Sequence, residues 1–158
     1  MAALKDSGDR TQFGDGALRD MEIGKGRCDL LPLAVVSDYL NNDQFLLNID
    51  QAREYTNLAE YYIKKALNHF CDIAYDGNPY KMILEVSKHY EDGMQKYPAY
   101  NWEKGMPTWI FIDSGVRHYL KWKAGITDEP HDRAVVWNLL GAWWYIMYRN
   151  GVETIWQE

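Results

Sequence analysis

Residues 134–147 read AVVWNLLGAWWYIM, apolar at every position except Asn138 and the hydroxyl of Tyr145. A helix that is apolar nearly all round has no face to give to water, so other elements must sheathe it. The richest window, 134–148, is too short to cross a bilayer, which takes about 20 residues. The pattern therefore predicts a central, buried helix over 129–148, with Pro130 in its first turn and Asp128 as its N-cap.

The remaining segments can supply the sheath. Pro32 suits the first turn of a helix, and Leu33, Val36 and Leu40 follow at helical spacing. NNDQ at 41–44 interrupts. Over 50–74, Ala52, Tyr55, Ala59, Tyr62, Ile63, Ala66 and Phe70 recur every three or four residues, which predicts one long helix. DGNP at 76–79 marks a stop, and a helix over 80–96 then puts Met82, Ile83, Val86, Tyr90 and Met94 on one face. Pro98 and Pro107 make 97–109 a loop. A fourth helix is expected over 110–123, closed by Gly125. Only WIFI at 109–112 looks like strand. The expectation is an all-α fold, a helical bundle of about five helices in a single domain over 1–158. An irregular arm rich in Gly, Asp, Lys and Arg precedes it at 1–28.

Charge and cysteine usage narrow the function classes. The net charge of −6 argues against a partner that is a nucleic acid polymer, because phosphate backbones are gripped by excess Lys and Arg. A small anionic ligand needs only a local basic pocket. Cys28 and Cys71 match no disulfide framework or zinc spacing, and MAALKDSGDR is polar at the start of the chain. These features predict reduced thiols in a cytoplasmic protein with no membrane association. The aromatic load, seven Trp and twelve Tyr, predicts a homo-oligomer that hides apolar helix surface between subunits.

Chemistry concentrates in 101–138. Asp113, Arg117 and Lys121 share one face of the fourth helix, and His118 shares another with Trp122. Alone, they read as an ion pair and a packed histidine. Glu129 and Asp132, three apart in a first helical turn, can share a divalent cation, or simply complement the helix dipole. His131, Asn138 and Tyr145 form a stripe at intervals of seven. Asn138 is either a structural amide bonded to a neighbouring helix or a reader of a ligand. GKGR at 24–27 offers Lys25 and Arg27 between glycines without the spacing of a phosphate-binding Walker loop. NWEKG offers Asn101, Trp102 and Lys104, with Trp102 able to stack on a base or to staple the loop to the core. His69 and His89 read as packing or surface residues. Carboxylates for Mg²⁺, cations for phosphates, and Asn and Trp for a base together suggest nucleotide hydrolysis.

GALRD, GKGRCDLLP, HYEDGMQKY, NWEKG, IDSGVRHYLKW and DEPHDRAVVWN together resemble the dATP/dGTP diphosphohydrolases of phages and prophages, the MazZ-type proteins. The likeness touches residues 16–36 and 83–147. It implies a metal-dependent enzyme, with Mg²⁺ or Mn²⁺, that cleaves purine deoxynucleoside triphosphates such as dGTP and dATP to the monophosphate and diphosphate. It places Lys25, Arg27, Glu91, Lys96, Asn101, Trp102, Asp113, Arg117, His118, Asp128, Glu129, His131, Asp132 and Asn138 on motif positions. The all-α MazG-type pyrophosphohydrolases carry an ExxE pair ahead of an ExxD pair. Here Glu129–Asp132 supplies the second and nothing supplies the first.

From these readings the expected metal ligands are Glu91, Asp113, Asp128, Glu129 and Asp132. His118, His131 and Arg117 are the expected catalytic groups, the histidines moving protons and Arg117 balancing phosphate charge. Lys25, Arg27, Lys96, Asn101, Trp102, Lys104 and Asn138 are expected to bind the nucleotide. Two departures accompany the likeness: Pro98-Ala99-Tyr100 stands where relatives carry Gly-Glu-Arg, and 41–80 is expected to be a helical insert. The rival expectations are a protein that binds or sequesters a nucleotide without turnover, and a purely structural helical protein.

Overall fold

The computed structural model describes residues 10–13, 18–20 and 24–157, with the side chains of Leu18 and Asp20 left aside. Six α-helices carry the fold: α1 Leu33–Tyr39, α2 Gln44–Glu54, α3 Ala59–Ala74, α4 Pro79–Gly93, α5 Thr108–Lys123 and α6 His131–Tyr148. The protein is all-α, as the periodicity predicts. Within the expected arm, β1 Arg10–Gln12 and β2 Leu18–Asp20 form one antiparallel pair, with Thr11 opposite Arg19. No described helix is long and apolar enough to cross a membrane.

The boundaries depart from expectation for local reasons. The single helix expected over 50–74 is two, α2 and α3, joined by a 3₁₀ turn at Thr56–Leu58. Asn41 and Asn42 both take left-handed φ values, 59° and 62°, which asparagine tolerates better than most residues. Asp43 then caps α2, one carboxylate oxygen accepting from Leu46 N at 3.0 Å. WIFI is helical rather than extended, because it sits in the first turns of α5. Asp128 does not cap α6. Pro130 stands at the N-cap position, and a residue before proline is pushed away from helical φ and ψ, so Glu129 stays outside the helix.

Helix α6 is the buried centre. Val135, Val136, Leu139 and Ala142 are fully buried, and α3, α4 and α5 all pack on α6. The α5–α6 contact is close because Gly141 lets Phe111 lie against the α6 backbone. A Cβ at 141 would come within 2.3 Å of the Phe111 ring. About two turns further along α5, Tyr119 stacks on Phe45 of α2 at 4.0 Å between ring centroids and meets Phe70 of α3 edge-on at 6.1 Å. The Tyr119 hydroxyl donates to the other Asp43 oxygen at 2.6 Å, so one side chain starts α2 and ties it to α5. Residues 41–80, expected as an insert, thus contribute to the same core as α5 and α6. Burying each such aromatic stabilises by roughly 1.5–3 kcal/mol.

Candidate functional site

The stripe His131, Asn138, Tyr145 runs along α6, and each member reaches a different neighbour. His131 meets α5, Asn138 meets β2, and the Tyr145 hydroxyl accepts from Gly105 N at 2.8 Å. An otherwise apolar helix thereby fixes three surrounding segments through three polar atoms.

The most chemically loaded of these contacts is at the start of α6. His118 Nδ1 and His131 Nδ1 are 2.8 Å apart, and His131 Nε2 is 2.7 Å from Asp128 Oδ1. A carboxylate only accepts, so Nε2 of His131 carries the proton that faces Asp128. Glu129, held outside the helix by Pro130, completes a group in which His118, Glu129 and His131 each offer an atom within 4.8 Å of the others. These residues can hold a metal ion. His131 is buried, whereas His118 and Glu129 are half-buried and reachable from solvent. His118 is also crowded by protein. Burial, followed by the nearby charges of His131, Arg117 and Arg19, holds its pKa well below the ordinary histidine value. It is therefore neutral at pH 7 and has a nitrogen lone pair to offer.

Two turns along α6 from His131, about 10 Å, lies Arg19, whose charge reaches His118. Its Nη2 donates to Asn138 Oδ1 at 2.7 Å, and the Asn138 amide donates to Ala134 O at 2.8 Å. Both polar ends of the buried amide are thus satisfied, by Arg19 of the strand pair and by its own helix rather than by a neighbouring helix. The guanidinium carbon sits 5.4 Å from the Phe111 ring centre and 5.2 Å from that of Trp137. A cation packed against two neighbouring rings is held without losing its charge. On the far side of Trp137, His89 lies 6.0 Å away, with Nδ1 buried and lacking a hydrogen bond. Burial, then the charges of Arg133, Arg19 and Lys96, push its pKa down to about 4.

Arg117 and Asp113 have different work. Arg117 Nη1 donates to Asp113 Oδ2 at 2.8 Å and to Gly26 O at 2.9 Å, while Nη2 donates to Ser114 Oγ at 3.0 Å. Asp113 is fully buried, and its other oxygen accepts from Asp29 N at 3.3 Å. Arg27 makes a two-pronged pair with the Asp29 carboxylate at 2.7 and 2.6 Å and lies over Trp109. This chain of ion pairs fastens residues 24–31 to α5.

The expected carboxylate set is therefore not assembled as one group. Asp113 engages Arg117 and Asp29, and Glu91 is exposed on α4. Asp132 turns toward α3, near the buried Tyr75 hydroxyl but outside hydrogen-bond geometry. Tyr75's pKa is raised by burial first and then by that charge. Asp128 and Glu129 do converge, but on imidazoles rather than on further acids. Trp102 packs edge-on against Trp144 at 5.2 Å, the stapling alternative. Thirteen helical positions separate Trp144 from His131, about 20 Å along α6. Asn101 is buried beside Trp102, Lys104 is half-buried, Lys25 is exposed in the loop, and Lys96 places its charge near His89.

Two residues were not singled out from the chain. Arg19 lies in GALRD, but nothing in its spacing announces a strand pair that delivers it to α6. His89 reads as packing because its partners, Arg133 and Trp137, come from another helix.

The family match over the helices that carry this histidine–carboxylate group makes the chain a nucleoside triphosphate diphosphohydrolase. More particularly, the model of the family described as dATP/dGTP diphosphohydrolase, N-terminal, matches residues 63–155, more than half of the chain, and the chain belongs to that family. The match includes α4, α5 and α6 with His118, Glu129, His131 and Asn138, and it begins inside α3, within the expected insert. No curated protein and no solved structure matches the chain.

Proposed function

We propose that this chain hydrolyses purine deoxynucleoside triphosphates, dGTP and dATP, to the monophosphate and diphosphate with a divalent cation. The observation that carries the reading is the convergence of His118, Glu129 and His131 within the part of the chain that the family covers. Two imidazoles and a carboxylate fit a divalent ion and leave coordination positions for water and phosphate oxygen. Such an ion, when bound, lowers the pKa of its water and offsets phosphate charge.

The chain's own residues do the rest. Asp128 fixes the proton of His131, and the crowding of His118 keeps it neutral. Arg19, held by Asn138, Met106, Phe111 and Trp137 among others, faces the phosphates as they gain charge. Water attacks the α-phosphorus: its oxygen bonds there as the bond to the bridging oxygen breaks, and diphosphate leaves with that oxygen's electron pair. The likeness to phage proteins supports a place in phage nucleotide metabolism, in the host cytoplasm. Exposed Tyr39, Tyr80 and Leu84 support assembly into a homo-oligomer, which light scattering on the purified chain tests.

The test is incubation with dGTP and dATP, with and without Mg²⁺ or Mn²⁺, read for diphosphate. Release that stops on chelation and is lost in Glu129→Gln supports the reading. Tight nucleotide binding without product, indifferent to chelator, would replace it with sequestration.

A further inference from the structure

We infer that His118, Glu129 and His131 form a site for a later first-row transition-metal dication, such as Co²⁺, Ni²⁺ or Zn²⁺, in preference to Mg²⁺. The inference rests on the proposed metal dependence and goes beyond it by assigning the ligands and the class of ion. Mg²⁺ takes oxygen donors and keeps most of its water, whereas imidazole suits the later transition metals. Here two of the three donors are imidazoles, and the buried Asp113 carboxylate, which would suit Mg²⁺, is engaged by Arg117.

The spacing agrees with shared ligation. Two nitrogens bound at about 2.1 Å, at right angles or slightly wider, stand about 3 Å or a little more apart. His118 Nδ1 and His131 Nδ1 stand 2.8 Å apart, so a few tenths of an ångström of movement admits an ion. The lone pair is also in the right place. Because His131 gives its Nε2 proton to Asp128 at 2.7 Å, a neutral His131 presents a bare Nδ1 to its partner. His118 in turn moves its proton to Nε2 when an ion takes the place of the hydrogen bond. A carboxylate behind a ligating histidine fixes tautomer and ring angle, which makes Asp128 a positioning residue, worth about 10–100-fold in metal affinity.

The test uses the full chain without nucleotide. Co²⁺ is titrated and its visible absorption followed, then Mg²⁺ is added in hundredfold excess. One Co²⁺ per chain, with nitrogen-type bands and little displacement by Mg²⁺, is expected. His118→Gln and Glu129→Gln should each weaken binding by at least tenfold, and Asp128→Asn by about 10–100-fold with the stoichiometry retained. Glu129 lies outside the helix, so its variant answers the question should His118→Gln fail to fold. Displacement by equimolar Mg²⁺, thiolate-type bands from Cys28 or Cys71, or wild-type affinity in Glu129→Gln would overturn the assignment. Co²⁺ binding as expected in a chain that releases no diphosphate upholds this site and defeats the proposed activity. Diphosphate release that persists in Glu129→Gln with wild-type Co²⁺ affinity does the reverse.

Discussion

His118 Nδ1 faces His131 Nδ1 at 2.8 Å, across the gap between α5 and α6. One proton at most can lie on that line, and Asp128 already holds the other proton of His131 in place. The two rings differ in exposure, so their variants should separate function from stability. His118→Gln is expected to reduce diphosphate release from dGTP by at least a hundredfold while leaving the urea midpoint nearly unchanged. His131→Gln should lose activity to a similar degree and also destabilise by about 1–3 kcal/mol, since it disturbs a buried donor–acceptor chain. Equal activity of His118→Gln and wild type would remove the pair from the chemistry.

How much of this was legible in the chain depends on the range of the contacts. The buried α6 was readable from 134–147, and the pairing of Asp113 with Arg117 from their i,i+4 spacing. Glu129 beside Pro130 already carried the signal that would have kept it out of the helix, and the ExxD reading overlooked it. That Asp113 also accepts from Asp29 N is not legible locally, because residues 26–29 come from a distant loop. The role of Asn138 could not be settled, for its partner Arg19 is 119 positions away. Local patterns find helices and same-face pairs; a site made by three segments needs the fold.

The Arg19–Asn138 bond offers a second test. Arg19→Lys keeps the charge but loses the flat guanidinium that packs against Phe111 and Trp137 while bonding Asn138. It should raise KM for dGTP several-fold. Asn138→Leu, which removes this hydrogen bond from Arg19, should do the same. Because the two act through one contact, the double variant should be less impaired than the product of the singles, with a coupling of about 0.5–3 kcal/mol. Strictly multiplicative effects would show that the bond does not position Arg19.

Packing at the α5–α6 crossing gives a stability test independent of chemistry. A methyl at position 141 would lie 2.3 Å from the Phe111 ring, far inside contact distance. Gly141→Ala should therefore destabilise by about 1–3 kcal/mol despite the better helix propensity of alanine. The loss should be reduced when Phe111 is shortened in the same chain, as in Gly141→Ala with Phe111→Leu. A neutral Gly141→Ala in chemical denaturation would mean that the helices sit further apart.

His89 makes stability depend on pH. Its pKa falls from the ordinary 6.5 to about 4 because burial, and then the charges of Arg133, Arg19 and Lys96, oppose protonation. A base with a lowered native pKa binds protons more readily when unfolded. Its contribution is therefore complete above pH 6.5 and is lost as the pH falls from there toward 4. The full amplitude is about 3 kcal/mol, from a shift of roughly two and a half units at 1.36 kcal/mol each. Wild type should lose unfolding free energy between pH 7 and pH 4.5 faster than His89→Gln, whose side chain does not titrate. The comparison is made by urea denaturation at fixed ionic strength. Parallel curves for the two proteins would mean that His89 charges inside the fold, and that the cations around it are further away than they stand here.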